Sequence, residues 1–418
     1  MPMTSDEKKQ FMELAARYVC PGRVRMFEAL GIGLMIGRRA GYRVWDVDGR
    51  ELLDYHLNGG VFSLGHRNPE IVATLREALD TLDIGNHHFP SVARAQLGEA
   101  LARLTPGDLQ YSVFAPSGGE AIDVAIKTAR HATKRRKIVS IQKGYHGHTG
   151  LALAAGDERF ATMFLSEGPP GQFVQVPFND LDAMTDALRG NDVAAVLIET
   201  IPATCGFPLP VPGYLTAVKQ LCVQHGAVYV ADEVQTGLGR TGTMWGVQSF
   251  GVEPDILVTG KGLSGGVYPI AAAVLSPRVA GWLEEDGWAH VSTFGGAELG
   301  CPVALKVLEI CTRSGVCENA ATVAQRLGAG LRDIQSRCAD WMIDIRQQGL
   351  VMGLKFAHPH GGMLMSKALY EEGIWAMFAG HEMSVLQFKP GLLLDAATCD
   401  ETLERFERGV RRCRETLS

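Results

Sequence analysis

The sequence lacks the features that mark membrane-spanning and secreted proteins. No apolar run reaches the length of a membrane-spanning helix, and the first ten residues, MPMTSDEKKQ, contain no apolar core of a signal peptide. The nine cysteines are scattered singly and none forms a C-x-x-C pair, which argues against a disulfide framework and a zinc site. We therefore expect reduced thiols, no bound metal and a cytoplasmic location.

A large excess of one charge is also missing. The 40 basic and 46 acidic residues leave a net charge of -6, and only the short run at 133–137 is markedly basic. Proteins that bind nucleic acid or an anionic membrane surface usually carry a concentrated basic patch, so we expect neither partner. The 418 residues, 46% of them hydrophobic, are enough to bury a large core, and we expect two domains.

The hydrophobic pattern predicts an α/β protein. Between residues 92 and 275 helical stretches alternate with short apolar strands, which is typical of a mostly parallel sheet covered by helices. We predict strands at 111–114, 137–141, 194–198, 227–231, 256–259 and 270–275. Before this region we predict a helix at 6–20, a hairpin turning at Asp48-Gly49 and a helix at 69–82.

The last third of the chain has its own pattern. We predict helices at 302–313, 320–338, 362–372 and 400–415, with short strands near 350–356 and 385–388. These elements predict a smaller α+β domain. The domain prediction is an N-terminal segment at 1–60 that packs with the small domain, a large ligand-binding domain at 61–300 and the small domain at 301–418.

A carboxylate and an amine follow two apolar stretches in the middle of the chain. Asp232 ends AVYVAD and Lys261 follows ILVTG. The carboxyl ends of strands in an open α/β sheet form the crevice where ligands bind, so we expect both side chains there. A carboxylate that keeps a pyridine nitrogen protonated, facing a lysine that can form a Schiff base, is the pair that pyridoxal phosphate (PLP) requires. Lys261 alone, between glycines, would more often face solvent.

Two further motifs fall at predicted strand ends. Ser117, Gly118 and Gly119 directly precede a helical stretch, and a helix N-terminus with free N–H groups can hold a phosphate; a plain capped helix is the alternative. Tyr145 follows KIVSI, where it can stack on a flat heterocycle or serve as a buried structural tyrosine.

Two competing motifs are weak. His146 and His148 lie two residues apart with no third ligand nearby, so we predict no metal site. The G-x-G-x-x-G pattern at 237–242 is a poor dinucleotide fingerprint, because its glycines do not open a helix directly from a strand.

The ordered set of motifs resembles one family. VWDVDGRELLDY, LGHRNPE, PSGGEAIDVAIKTAR, GYHGHT, ADEVQTGLGRTG, PDILVTGKGLSGG, STFGG and IRQQGLVMGLKF are similar, over nearly the whole chain, to class III PLP-dependent aminotransferases of fold type I. Relatives in that family include ornithine and ω-amino acid aminotransferases and glutamate-1-semialdehyde aminomutase. The resemblance implies the PLP-dependent transferase fold type I and transfer of an amino group from an amine or amino acid to a keto acid.

The resemblance also implies roles for single residues. Lys261 looks like the Schiff-base lysine and Asp232 like the partner of the pyridinium nitrogen. The other cofactor-binding matches are Ser117, Gly118 and Gly119 at the phosphate, Tyr145 and Val234 on the two ring faces, Gln235 at the ring hydroxyl and Glu199 in the acidic motif. Thr293 matches a threonine that reaches the cofactor phosphate of the neighbouring subunit, which implies a homodimer with shared sites.

Three departures from the family pattern leave the substrate open. Gln387 stands where many relatives have a carboxylate-binding arginine, Thr200 replaces the usual proline after Glu199, and GGAELG follows Thr293 where GGNPLA is common. Since glutamine cannot form the bidentate fork of arginine, we expect either another cation at the substrate or weak binding of the carboxylate. The candidates are Lys389, Arg23 and Arg25.

The same reasoning bears on the reaction. We expect the amino donor to be an ω-amine, an amino sugar or a similar compound in place of a simple α-amino acid. A PLP-dependent aminomutase, racemase or amine-directed lyase on the same scaffold is the alternative.

Overall fold

The N-terminal segment folds into two helices and three strands. The computed structural model describes residues 2–417, and its first elements are α1 (Ser5–Tyr18), α2 (Pro21–Ala29), β1 (Ile36–Ala40), β2 (Arg43–Asp46) and β3 (Glu51–Asp54). The predicted helix at 6–20 is confirmed for most of its length. Pro21 opens a second helix, because the first position of a helix needs no N–H donor. The hairpin around Asp48-Gly49 is confirmed, with β2 and β3 pairing antiparallel.

The central part of the chain alternates helices and strands as predicted. Its elements are α3 (Leu57–Gly60), which is a single distorted turn, α4 (Pro69–Leu79), α5 (Val92–Leu104), β4 (Tyr111–Ala115), α6 (Gly118–Thr133), β5 (Lys137–Ile141), α7 (Gly150–Ala155), α8 (Glu158–Met163), β6 (Phe173–Val176), α9 (Leu181–Leu188), β7 (Val193–Glu199), α10 (Tyr214–His225), β8 (Val228–Asp232), β9 (Ile256–Thr259), β10 (Ala271–Leu275), α11 (Trp282–Glu285) and α12 (Gly300–Thr312).

These strands form one seven-stranded sheet in the order β4-β10-β9-β8-β7-β5-β6. The five strands from β9 to β6 run parallel, whereas β10 is antiparallel to both of its neighbours. All residues of β7, β8 and β9 are buried, as expected for strands that helices cover on both faces. The prediction of a mostly parallel sheet is confirmed, and β6 is the strand that it missed.

The C-terminal part is built around a smaller sheet. Its elements are α13 (Val316–Arg337), β11 (Met342–Gln348), β12 (Val351–Phe356), α14 (Gly361–Glu371), β13 (Ile374–Trp375), β14 (Met377–Ala379), β15 (Glu382–Phe388) and α15 (Ala396–Leu417). The sheet has the order β11-β12-β15-β14 and is antiparallel throughout. β13 instead pairs in parallel with β3, which links this part of the chain to the N-terminal strands. The domain boundaries after residues 60 and 300 stay predictions.

The large sheet brings the predicted site residues to one edge. Glu199 ends β7, Asp232 ends β8, and the two lie directly opposite each other in the parallel register. Lys261 follows β9, the next strand along, after a single glycine. Within residues 2–417, no helix is both long and apolar enough to cross a membrane.

Candidate active site

Asp232 and Lys261 line the same cavity, as their positions at the carboxyl ends of β8 and β9 predict. The cavity has a volume of about 240 Å³. Lys261 begins a short 3-10 helix with φ of +42°, a left-handed backbone that residues with side chains rarely adopt and that is typical of functional sites. Burial lowers the pKa of the Lys261 amine, while Asp232 and Glu199 oppose that change. A lowered pKa increases the fraction of neutral amine, which is the nucleophilic form.

The Asp232 carboxylate is held from two sides. Its Oδ2 atom lies 2.7 Å from Nδ1 of His146, and its Oδ1 atom accepts a hydrogen bond of 3.1 Å from the Val234 backbone N–H. Asp232 is only 5% exposed, so these two partners replace the water that its buried carboxylate has lost. His146 is a positioning residue that the sequence analysis missed, because its motif was weighed only as a metal site.

His146 also has an unsatisfied atom. Its side chain is buried, and its Nε2 atom has no hydrogen-bond partner among the described residues. A buried polar atom without a partner costs free energy, so its retention at a cavity is typical of a functional site. Within residues 2–417, no group of three or more His, Cys, Asp or Glu side chains could hold a metal ion.

Glu199 fixes the loops around the cavity. Its Oε1 atom accepts a hydrogen bond of 3.0 Å from the Tyr145 N–H, and its Oε2 atom accepts one of 3.3 Å from the Ala203 N–H. Burial raises the pKa of Glu199, His146 lowers it, and nearby Asp232 raises it further. The carboxylate therefore ties the loop after β5 to the loop after β7.

The start of α6 forms a cradle that only small residues can build. Ser117 caps this helix, and its hydroxyl oxygen accepts a hydrogen bond of 3.3 Å from the Glu120 N–H. A Cβ atom added to Gly118 would lie 3.2 Å from Val234, and one added to Gly119 would lie 2.9 Å from the Thr149 hydroxyl. These glycines let the helix N-terminus approach the cavity closely, which is the geometry that binds a phosphate.

The remaining walls fit a flat ring. Tyr145, which is 40% exposed, and the half-buried Val234 both line the cavity, together with Gln235. A planar group between them would meet an aromatic face, an aliphatic face and a charged edge at Asp232. The cavity, the cradle and the Asp232–Lys261 pair together fit a substituted pyridine that carries an aldehyde and a phosphate.

Thr200 has a structural role. The buried carboxylate of Glu233 accepts hydrogen bonds from the hydroxyl groups of Thr200 and Thr236 and from the backbone N–H groups of Gly246 and Val247. Burial raises the pKa of Glu233, and these four donors oppose that rise. The usual proline could not donate the Thr200 bond, so this departure stabilises the segment that follows Asp232.

Five of the predicted site residues do not line the cavity: Thr293, Arg23, Arg25, Gln387 and Lys389. Thr293 is exposed in the loop before α12, and Arg23 and Arg25 are exposed on α2. Arg23 contributes to a separate apolar groove beside Trp375.

Gln387 and Lys389 lie side by side at the end of β15. The Gln387 Nε2 atom donates a hydrogen bond of 2.8 Å to the Ala203 carbonyl oxygen, and its Oε1 atom accepts one from Lys389 Nζ. Gln387 is 7% exposed and Lys389 is fully buried. Both groups of the Gln387 amide are therefore already engaged by the protein.

The comparisons with known proteins all point to one protein family. A family model described as aminotransferase class-III matches residues 28–410. An uncharacterised aminotransferase from Archaeoglobus fulgidus is 48% identical over 398 residues, which cover 95% of this chain and 93% of that protein.

Two solved structures are similar over nearly the whole fold. Ornithine aminotransferase from Toxoplasma gondii, in a structure with partial occupancy of PLP at the active site, superposes with a TM-score of 0.89 at 26% identity, covering 98% of this chain and 95% of that one. N-acetylornithine aminotransferase from Stenotrophomonas maltophilia has a TM-score of 0.79 at 27% identity, with coverages of 93% and 98%.

Proposed function

The chain belongs to the class III aminotransferases, and from that premise we propose that it moves an amino group from a terminal amine to a keto acid, with PLP bound in the 240 Å³ cavity. The observation that carries the proposal is the meeting of Asp232, Lys261 and the Gly118-Gly119 cradle at one cavity. Each of the relatives described above is an aminotransferase, which favours transfer over the aminomutase, racemase or lyase alternative.

The cofactor would divide the work with the protein. Bound PLP supplies an aldehyde that reacts with amines and a ring that accepts an electron pair. Lys261 would provide the amine for covalent attachment and, once released, would carry a proton at Nζ between substrate and cofactor carbons. Asp232, oriented by His146, would keep the ring nitrogen protonated.

The other cavity residues would bind and orient the cofactor. Tyr145 and Val234 would cover the two ring faces, and Gln235 would hydrogen-bond the ring hydroxyl. Ser117 and the two glycines after it would hold the phosphate at the start of α6, where backbone N–H groups and the helix dipole favour negative charge. Glu199 would keep Tyr145 in place through its backbone N–H.

We further propose a homodimer in which Thr293 reaches the phosphate in the neighbouring subunit. The exposure of Thr293 and of several large apolar residues near it supports this arrangement. Trp288 is 65% exposed and Phe294 is 58% exposed, and exposed apolar patches mark interaction sites.

We also propose that the protein is located in the cytoplasm, because its cysteines are free, as expected in a reducing compartment.

The substrate proposal rests on the neutral Gln387. Its amide is committed to Ala203 and Lys389, so it offers no fork to an α-carboxylate. We therefore propose a donor whose amine lies away from an α-carboxylate, such as an ω-amine or an amino sugar. Lys389, Arg23 and Arg25 are the proposed cations toward the keto acid.

Absorbance of the cofactor tests the proposed function. The purified holoenzyme is mixed with a series of terminal amines and α-amino acids, and a keto acid is then added to the aminated form. We expect terminal amines to change the cofactor spectrum fastest and the keto acid to restore it. A faster reaction with ordinary α-amino acids than with every terminal amine would contradict the donor class, and an unchanged spectrum with all donors would contradict aminotransfer.

A further inference from the structure

Among the described residues, the buried amine of Lys389 near Lys261 has only neutral hydrogen-bond partners. Nζ of Lys389 donates a hydrogen bond to Oε1 of Gln387 and lies 3.3 Å from Nδ1 of His56. It also lies 5.6 Å from the centre of the Phe207 ring. Lys389 itself is fully buried, whereas His56 is half-buried. We call Lys389, His56 and Gln387 the amine cluster.

The charges that face the amine cluster are mostly positive. Four charged or titratable groups act on Lys389 from the elements packed around it: Asp54 at the end of β3, His56 just after β3, Arg240 in the glycine-rich turn, and Lys261 after β9. Burial is the main cause that holds the pKa of Lys389 well below its ordinary value, and Arg240 and Lys261 add to it. Asp54 is the negative group among them.

Asp54 is committed elsewhere. Its Oδ1 atom accepts hydrogen bonds from the backbone N–H groups of His56 at 2.9 Å and Leu57 at 2.7 Å. Its Oδ2 atom lies 2.8 Å from Nε2 of His66. Lys389 is thus a buried amine for which no described carboxylate serves as a hydrogen-bonding counterion. Burying a cation without a counterion is costly, whereas an arriving anion would make the cation favourable.

Resting on the aminotransferase function proposed above, we propose that the amine cluster binds the carboxylate of the keto-acid acceptor and takes up a proton as it does so. The carboxylate would replace the neutral Gln387 oxygen on Nζ of Lys389. The new bond would join two ions, and such bonds are shorter and stronger than bonds to a neutral acceptor. Gln387 would stay anchored through its Nε2 bond to Ala203.

This arrangement suits an enzyme that must bind two different substrates at one site. A fixed arginine would repel the ammonium group of a terminal-amine donor, since its charge is permanent. A lysine that is neutral in the empty site would not, and it would become charged only when the acceptor supplies a carboxylate. The amine cluster therefore matches a donor without an α-carboxylate and an acceptor with one.

Calorimetry of an unreactive carboxylate tests the proton uptake directly. The holoenzyme is titrated with propanoate in two buffers that differ in their enthalpy of ionisation, so that the number of protons taken up is measured. We expect uptake of about one proton per propanoate at a pH between the pKa values of the empty and the filled site. In Lys389→Met the uptake should vanish and the Kd should rise by about tenfold or more.

A matched lysine provides the control. Lys355 lies on β12 opposite Val385 of β15 and is ion-paired with Glu382 at 3.5 Å, away from the amine cluster. Lys355→Met should therefore bind propanoate with the wild-type Kd and proton uptake. If Lys389→Met binds propanoate like Lys355→Met, the proposal is overturned.

The two half-reactions give a second readout. Affinity for the keto acid should be constant below the pKa of the empty site and fall about tenfold per pH unit above it, until the pKa of the filled site is reached. Lys389→Met should raise the KM for the keto acid and remove this pH dependence, with a smaller effect on the amine half-reaction. Equal loss in both half-reactions would show a merely structural role and would overturn the proposal.

A second variant covers the case in which Lys389→Met does not fold. Gln387→Glu places a fixed carboxylate on Nζ and should weaken propanoate binding by about tenfold or more through direct competition. Unchanged binding in this variant would overturn the proposal. The propanoate titration does not depend on turnover, so a protein that takes up the proton without aminating any keto acid would contradict the proposed function and leave the carboxylate site standing.

Discussion

Two hydrogen-bond partners fix the position of the Asp232 carboxylate in the cavity. His146 and the Val234 N–H each occupy one carboxylate oxygen, so the carboxylate has one orientation in the cavity. Preorganised charges of this kind stabilise a transition state without the cost of reorganisation. At the residue scale, the cavity therefore contains a fixed anion, Asp232, and the amine of Lys261. Burial lowers the pKa of that amine.

Asp232→Asn keeps the size of the side chain and removes its charge. We expect kcat to fall by about 100-fold or more, the range that follows from loss of a preorganised electrostatic partner. Steady-state kinetics with the best amine donor measure this effect. The bound cofactor, released with alkali and quantified by absorbance, should stay near the wild-type amount. An unchanged kcat would mean that another acid protonates the ring.

At the scale of secondary-structure elements, buried carboxylates hold the loops after the strands in place. Glu233 connects the end of β7, through Thr200, with the Gly246–Phe250 helix, and Glu199 connects the loops after β5 and β7. Removing one hydrogen-bond donor from a buried carboxylate destabilises the folded protein, because the carboxylate is then left partly unsatisfied.

Thr200→Val removes one such donor at almost constant volume. We expect a decrease of about 1–3 kcal/mol in the free energy of unfolding, measured by urea denaturation. Thr185→Val is the control, because the Thr185 hydroxyl donates its hydrogen bond to the Leu181 carbonyl of its own helix and not to a buried carboxylate. Equal stabilities of the two variants would contradict the role of Thr200.

The elements that the sequence predicts are those with a strong hydrophobic pattern. The fully buried β7, β8 and β9 read as continuous apolar runs, and Asp232 and Lys261 follow such runs directly. β6 and β11 escaped prediction because they are half-buried or carry charged and polar residues along much of their length. Side-chain pairs such as His146 with Asp232 lie 86 residues apart, so only the fold brings them together.

At the scale of the whole molecule, the described chain leaves large apolar side chains at its surface. Phe89, Trp288 and Phe294 are exposed, and Thr293 lies in the loop that carries Trp288 and Phe294. A second subunit would cover such a patch and would bring Thr293 to a cofactor phosphate.

Mixed dimers test whether sites are shared. Lys261→Ala and Thr293→Asp should each inactivate the homodimer, the second through repulsion of the phosphate. A mixed dimer of the two, isolated with two affinity tags, should recover activity, because the subunit with intact Lys261 receives Thr293 from its partner. Lys261→Ala mixed with Asp232→Asn is the control and should stay inactive. No recovery in the first mixture would contradict a shared site.

The central claim is that Lys261 bonds the cofactor in an aminotransferase site. Borohydride reduction of the holoenzyme followed by peptide mass spectrometry locates the lysine that carries the cofactor. We predict one modified peptide, with the modification at Lys261, and its loss after prior amination of the cofactor by an amine donor. Modification at a different lysine, or no modification in a holoenzyme that contains cofactor, would contradict the account.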